Sequence, residues 1–392
     1  MRIALFSETY VPEVNGVVAH VKVLKEGLEQ LGHQVLVVTT DAKAHKHYVR
    51  KGVLYCPGKK IKKVYGYGAA LPMNTKRYKY LKQFNPDVIH IHTEFGIGLF
   101  GLLAAKLLKK PVVYTLHTIY DEYLYYLVPK VLTKVGKEVF YRYIRYIANN
   151  ADVIIGPSKK SEAFLKRAGV NKKLEIIANG VDIQKFSPYN VSQIDRDKLR
   201  DAYQIPRDCM LACTITRLGK EKSIDVLLQY SKDYIEKNDN FYIIIVGDGP
   251  AKKDLEKLAV ELGIANRVVF TGKVLNQHII SYYGASDVFI TASLTEINSI
   301  SMLEAMAMGL PVLQRYDEIN KDQVVEGVNG YTFTNSASMA AKLNELANMN
   351  NSQMLELKHS VRESVVNKGL KDVAENVLKQ YQRVILGVSK GS

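Results

Sequence analysis

Short apolar runs alternate with longer amphipathic stretches along most of the chain. Ile3–Ser7 reads as a buried strand, and Val17–Leu31 carries Val17, Val21, Leu24, Leu28 and Leu31 at helical spacing before Gly32 closes it. Further strands are expected at Val35–Thr39, Val53–Cys56, Val88–His92, Val112–His117, Val153–Gly156 and Leu174–Ile177. A polar stretch with Pro188 and Pro206 follows, and the linker is expected near 186–206. The alternation then restarts, with strands at Met210–Thr216, Tyr242–Val246, Val268–Thr271, Val288–Thr291 and Val312–Gln314, and the end reads as helical. Strands apolar on both faces and separated by helices call for parallel sheets covered on two sides. The expectation is α/β: two doubly wound domains facing a cleft, at 1–190 and 191–370, with a helix at 371–392 packing back on the first. Ligands of such sheets bind beyond the carboxyl ends of the strands, so the residues that follow each strand are the ones to inspect.

Length and composition fit this reading. With 392 residues, 47% hydrophobic and 24% charged, the chain can bury a large core and is neither disordered nor fibrous. Its three cysteines, Cys56, Cys209 and Cys213, make no disulfide framework, and no Cys or His pair completes a zinc spacing. The apolar start is too short for a signal peptide, and the longest apolar stretch, Phe95–Ala105, falls well short of the roughly 20 residues of a spanning helix. A cytosolic protein, or one seated on a membrane without crossing it, is expected.

Charge changes the picture more. The net +15 is unevenly placed: residues 1–190 hold 30 Lys and Arg against 14 Asp and Glu, whereas residues 191–392 hold 24 against 25. An anionic partner for the first half follows: a lipid surface, nucleic acid or a phosphorylated substrate. Tyr123–Ile147 interleaves tyrosines, among them Tyr125 and Tyr126, with Lys130, Lys134, Lys137, Arg142 and Arg145. A second basic run, Lys59, Lys60, Lys62 and Lys63, precedes further tyrosines. Tyr at a hydrocarbon boundary beside cations suits an anionic membrane. The same pattern also fits a helix with a Tyr face in the core, or single-stranded nucleic acid.

Four places could carry chemistry. In Thr291–Pro311 a strand ends, a polar loop follows and a helix begins near Ser299–Ser301, offering free backbone N–H groups and a positive dipole end to an anion. Glu296 precedes that helix and Glu304 lies within it on another face. Ser301 to Glu304 fits a capping box equally well. Thr216–Lys222 follows the first strand of the second half, and its Arg217 and Lys222 suit a diphosphate, although an exposed basic loop reads the same. His117 ends a strand where ligands sit and could exchange a proton near neutral pH, though a lone His is more often structural. Asn15-Gly16 would let backbone approach a ligand closely. No GxGxxG follows a strand, no Walker motif exists, and Gly247-Asp248-Gly249-Pro250 alone is a turn.

Taken together, PEVNGV near the start, TLH at 115–117, NGVDIQKF at 179–186, TRLGKEK at 216–222, VGDGP at 246–250, FTGKV at 270–274, and Glu296 with Glu304 ahead of AMAMGLP resemble glycosyltransferase family 4. Within it, HTIYDEYLYYL and HIHTEFGIGLFG look like the bacterial diacylglycerol glucosyltransferases. The resemblance implies a GT-B fold and a retaining transfer of a hexose, glucose from UDP-glucose, to diacylglycerol or monoglucosyl-diacylglycerol at an anionic membrane surface on the cytoplasmic side. It implies no cofactor, metal or nucleic acid. Arg217 and Lys222 would hold the diphosphate, Glu304 the ribose, Glu296 and His117 the sugar, Val274 the base through its backbone, and Gly16 would bring a loop to the phosphates. Asn298 and Ser299, ahead of Ile300, stand where the family usually has an aromatic or Gln and then Gly, which bears on sugar preference. Another lipid or a soluble acceptor would be the nearest alternative, followed by a nucleotide-sugar epimerase and a basic nucleic-acid module.

Overall fold

The computed structural model describes residues 1–60, 68–119 and 133–387. It divides into two compact units, Met1–Gly180 with Leu370–Ser392, and Val181–Gly369.

The first unit is built on a sheet of eight strands: β1 (Arg2–Phe6), β2 (Gln34–Asp41), β3 (Tyr48–Arg50), β4 (Val53–Pro57), β7 (Val88–Ile91), β8 (Val112–Thr115), β9 (Val153–Gly156) and β10 (Leu174–Ile176). A separate pair, β5 (Lys59–Lys60) and β6 (Gly68–Ala69), lies between β4 and β7 in sequence. The order in the large sheet is β10-β9-β8-β7-β1-β2-β4-β3, all parallel except β3 on β4. Buried Ile3, Leu5, Val37, Val88, Val113 and Ile155 fill one face. The order reverses between β1 and β7, a switch point where the loops beyond two neighbouring strands part and leave a crevice.

Helix Gly16–Gln30 covers this sheet and is itself covered by helix Leu370–Ile385, whose Val373, Ala374, Val377 and Tyr381 are buried. The approach is close because position 27 is glycine: a Cβ there would lie 2.2 Å from the Leu370 carbonyl oxygen and 2.8 Å from the Ala374 Cβ.

The second unit carries β11 (Met210–Ile215), β12 (Phe241–Val246), β13 (Val268–Gly272), β14 (Val288–Thr291), β15 (Val312–Arg315) and β16 (Gly330–Phe333), parallel throughout in the order β13-β12-β11-β14-β15-β16. Its switch point falls between β11 and β14.

The stretch expected as a linker is folded and belongs to this unit. Residues 193–202 form a helix started by a reciprocal Ser192–Asp195 capping box. The helix is anchored by Arg200, 5% exposed, which donates to the carbonyls of Ala285, Pro206, Arg207 and Cys209 and pairs with Asp287. Polar composition misled here because one buried guanidinium, fully partnered, replaces an apolar face. The division at Gly180 correspondingly falls before the boundary expected at 190.

The interhelix packing is testable. Gly27→Leu forces a side chain onto the Leu370–Ala374 turn and is expected to cost about 1–3 kcal/mol, read by urea denaturation. Unchanged stability would contradict the packing described.

Candidate active site

The loops beyond β11 and β14 form one structure. The Glu221 carbonyl oxygen accepts from the Thr295 hydroxyl at 2.9 Å and from the Ser293 hydroxyl at 3.4 Å, and the Lys222 ammonium pairs with the Glu296 carboxylate. Asn320 Nδ2 donates to the Glu296 carbonyl at 2.6 Å, and Gln323 Nε2 to that of Ile297 at 2.8 Å, fixing the far side of the second loop. Arg217 pairs with Glu221, whose side chain is only 1% exposed. The VGDGP turn braces the cationic loop from below: Leu218 N donates to the Asp248 carbonyl at 3.0 Å and Ala251 N to that of Leu218 at 3.0 Å. Gly247, at φ +140°, permits this, since a Cβ there would lie 1.9 Å from the Thr216 carbonyl oxygen. The glycines that read as a bare turn therefore hold Arg217 and Lys222 in place.

Beyond β14, helix Ile300–Ala307 begins where expected, after Ser299. Ser299 is the N-cap, its hydroxyl accepting from Met302 N at 3.4 Å and lying 3.1 Å from the Ser301 hydroxyl. The capping-box reading of Ser301 and Glu304 is thereby overturned: Glu304 lies a full turn inside, 7% exposed, and accepts from the Tyr283 hydroxyl at 2.9 Å. Burial pushes its carboxyl up to about 7, against the opposing effects of the Tyr283 hydrogen bond and Lys185. Asn298 and Ser299 are buried and Ile300 is half-buried. Ser299 spends its hydroxyl on its own helix, while the first turn keeps the N–H groups that helix geometry leaves without intrahelical partners. Val274, half-buried beyond β13, packs on the core of the unit.

In the first unit, the loops beyond β1 and β7 are likewise tied. Glu8 N donates to the Thr93 hydroxyl at 2.9 Å, and the Glu8 carboxylate accepts from Ile97 N and Gly98 N at the start of helix Gly96–Leu108. Asn15 caps helix Gly16–Gln30, accepting from Val18 N, and a Cβ on Gly16 would meet nothing within 4 Å. No packing demand accounts for the glycine, and the space beside it is open.

His117, half-buried beyond β8, is not a lone histidine. Its Nε2 lies 3.0 Å from His92 Nδ1, and its ring centroid is 4.5 Å from that of His20. His20 Nδ1 hydrogen-bonds Asn179 Oδ1 at 2.9 Å. Behind them, His90 bonds the Tyr381 hydroxyl at 2.6 Å and that of Thr115 at 2.7 Å. Burial, reinforced by the neighbouring rings, holds His117 and His92 well below the ordinary histidine value, and burial alone pushes His20 down to about 4. His117 is thus a neutral imidazole at pH 7, not the group poised near neutrality that its sequence position suggested. His20, His90, His92 and Asn179 were not singled out as site residues in the sequence because they come from a helix, the end of β7 and a distant loop.

The basic candidates divide. Lys62, Lys63, Tyr125, Tyr126 and Lys130 lie outside the described residues, as do the side chains of Lys60 and Lys134; Lys59 is exposed. On helix Thr133–Asn150, Tyr141, Ile144, Ile147 and Ala148 are buried, so part of the aromatic stretch is core. Arg145 donates to the Ala168 carbonyl at 2.9 Å and is a structural residue. Val139, Arg142 and Tyr146 line an exposed face; the Val139 and Tyr146 exposures are 63% and 54%. Among the described residues no helix is long and apolar enough to cross a membrane.

Two doubly wound parallel-sheet units in one chain are the architecture of the GT-B fold. The pattern for Glycosyltransferase Family 4 matches residues 14–185, and that for Glycosyl transferases group 1 matches 195–364. The chain belongs to glycosyltransferase family 4. It is 36% identical over 350 residues to the alpha-monoglucosyldiacylglycerol synthase of Acholeplasma laidlawii, spanning 88% of this chain and 87% of that one. The Streptococcus pneumoniae synthase of the same name is 31% identical, over 80% of this chain and 70% of its own. Anabaena HepE, solved with UDP and glucose, shares the fold at a TM-score of 0.74 and 18% identity, covering 97% of this chain and 99% of its own.

The buried Glu304 makes a pH prediction. Its folded value near 7 stands above the ordinary 4.5, so the folded state holds a proton that the unfolded chain has released. The stability tied to that proton is full below about pH 4.5 and is lost as the pH rises through about 7. Glu304→Gln removes the loss, so its melting temperature relative to wild type should rise between about pH 5 and pH 8. A difference constant across that range would contradict the burial effect.

Proposed function

We propose that this enzyme moves glucose from UDP-glucose to the hydroxyl of diacylglycerol or monoglucosyl-diacylglycerol, with retention at the anomeric carbon. The observation that carries this is the second unit's switch point, where Lys222 pairs with Glu296 ahead of a helix start, Arg217 pairs with Glu221 in the loop tied to it, and a buried carboxylate lies one turn inside the helix. The names of the two relatives and the UDP complex of the structural neighbour support the donor and acceptor classes.

In the reaction the bond from the anomeric carbon to the β-phosphate oxygen breaks, and a bond to the acceptor oxygen forms on the same face. The acceptor proton passes to the departing phosphate. Charge builds up on that phosphate, so the site's main task is to stabilise it. Lys222 supplies a mobile point charge that can exchange Glu296 for phosphate, Arg217 a planar fork, and the helix start its N–H groups. Glu304 as carboxylate accepts from ribose hydroxyls, Glu296 and neutral His117 from those of the sugar, and Val274 lies along the base. Open space at Gly16 admits the phosphates. Asn298, Ser299 and Ile300 shape the sugar and phosphate end of the site.

Docking is peripheral, on the cytoplasmic face. The excess of cations in residues 1–190 and the exposed Val139–Arg142–Tyr146 face support it. Each cation near an anionic surface contributes about 1 kcal/mol.

Two outcomes test the proposal. Lys222→Ala should lose about 100-fold or more in kcat while its circular dichroism is preserved, and UDP should raise the melting temperature of the wild type. Full turnover in the variant, or no UDP shift, would sink the donor assignment. Arg142→Glu combined with Tyr146→Ser should weaken binding to phosphatidylglycerol vesicles about tenfold or more, measured by co-sedimentation. Binding equal to wild type would remove this face from the docking surface.

A further inference from the structure

The strands of the second sheet all run the same way, so their amino ends share the edge opposite the loops described above. At that edge a cavity of about 450 Å³ opens where Met210 begins β11 and Asp287 precedes β14. Helix 193–202 lines it on one side, and helices Ser336–Ala347 and Asn351–Glu363 line it on the other. Small-molecule sites occupy cavities of about 300–1,000 Å³, with an apolar wall and a few placed polar groups. Leu346, Met349 and Met354 supply the apolar wall here.

The polar lining is unbalanced. Asp287 Oδ2 is committed, accepting from Arg200 Nη2 at 2.8 Å and from Leu211 N at 2.9 Å. Its Oδ1 lies 3.9 Å from Arg196 Nη2, too far for a hydrogen bond. Lys358, half-buried on helix Asn351–Glu363, has neither an ion-pair nor a hydrogen-bond partner. Three cations therefore share one carboxylate. The acidic groups nearer the rim do not correct this. Asp197 pairs with Arg207 and accepts from Gln193 Nε2 at 2.8 Å, and Asp208 is exposed to water. Burial pushes the Lys358 ammonium below its ordinary value; Asp287 opposes the shift, and Arg196 and Arg200 add to it. Uncompensated cations in a concave, partly dry site attract anions. A guanidinium fork and an ammonium point charge are the pair that phosphate oxygens suit best.

We propose that this cavity binds a phosphomonoester, with the phosphate dianion held between Arg196 and Lys358 above the Arg200–Asp287 pair, and the organic group against Leu346, Met349 and Met354. Inorganic phosphate meets the same cations without the apolar contact. The site shares no residue with the loops that carry Lys222 and Glu296, and it does not rest on the donor or acceptor proposed above.

The test titrates the full-length protein with n-hexyl phosphate and with inorganic phosphate, by calorimetry at constant ionic strength in chloride. Hexyl phosphate should bind about tenfold or more tighter than phosphate, through its buried methylenes. Lys358→Met and Arg196→Met should each weaken hexyl phosphate binding about tenfold or more, whereas Lys222→Ala should leave it unchanged. No binding, binding equal in wild type and both cavity variants, or a loss confined to Lys222→Ala overturns the site. Equal affinity for the two phosphates overturns the ester as its ligand. Should a cavity variant unfold, methionine-methyl NMR of the wild type decides. Hexyl phosphate shifting the Met349 and Met354 methyl signals upholds the site, and shifts confined to other methionines overturn it.

Discussion

The Glu221 carbonyl oxygen, which accepts from both Thr295 and Ser293, is the constraint on which the second unit's chemistry depends. A parallel sheet places β11 beside β14, but their connections leave in opposite directions, so nothing in the sheet itself keeps the two loops together. The two hydroxyls do so without charge. They leave Lys222 and Glu296 to meet as an ion pair that can open. A half-buried pair of this kind gains little net free energy, since desolvation offsets most of the attraction. That suits the proposed transfer, in which the ammonium would change partners during the cycle. Positioning by neutral hydrogen bonds, with charge held in reserve, separates the rigid part of the site from the part that must respond to a ligand.

The first unit solves a similar problem differently. Glu8 is buried, and desolvation raises its carboxyl even though it accepts from Thr93, Ile97 and Gly98. It ties the β1 loop to the helix beyond β7. In the same unit the histidines are crowded enough that His20 and His90 add to burial in discouraging protonation of His92 and His117. A cationic imidazole there would repel its neighbours and lose its hydration, so the rings act as hydrogen-bonding groups and lone-pair donors. The Tyr381 hydroxyl, brought from the far end of the chain by helix Leu370–Ile385, completes this layer through His90.

Much of this was legible in the sequence. The apolar runs located twelve strands of the two sheets, because strands buried on both faces cannot hide their composition. Arg217, Lys222, Glu296 and the helix start stood out as polar groups beyond strand ends, where doubly wound sheets bind ligands, and the structure ties together the two loops that carry them. What escaped did so for physical reasons. Edge strand β3 is short and exposed, and β16 opens on Gly330, whose Cβ would strike the Val312 carbonyl, and alternates its buried Tyr331 and Phe333 with Thr332, so neither makes a continuous apolar run. Helix 193–202 buries a guanidinium rather than a hydrophobic stripe. The histidine cluster draws on a helix, two strand ends and a loop, and no spacing rule spans 20 to 179. Glu304 fitted a capping box until the position of the true cap, Ser299, settled which turn it occupied.

That cap also bears on the departure at Asn298 and Ser299. A glycine at an N-cap leaves the first-turn N–H groups wholly to solvent or ligand. A serine there takes one of them, Met302 N, for its own hydroxyl and stiffens the helix start, an exchange whose stability gain over glycine is only a few tenths of a kcal/mol. The N–H groups of the first two residues, Ile300 and Ser301, stay outside that bond. The proposed phosphate site at this helix start would therefore tolerate serine, because the hydroxyl satisfies the donor deepest in the turn and leaves the foremost ones open. In the proposed transfer, with the side chain of Ser299 directed at its own helix, selectivity for the sugar would pass to neighbours not engaged in capping, Glu296 and Asn298 foremost among them.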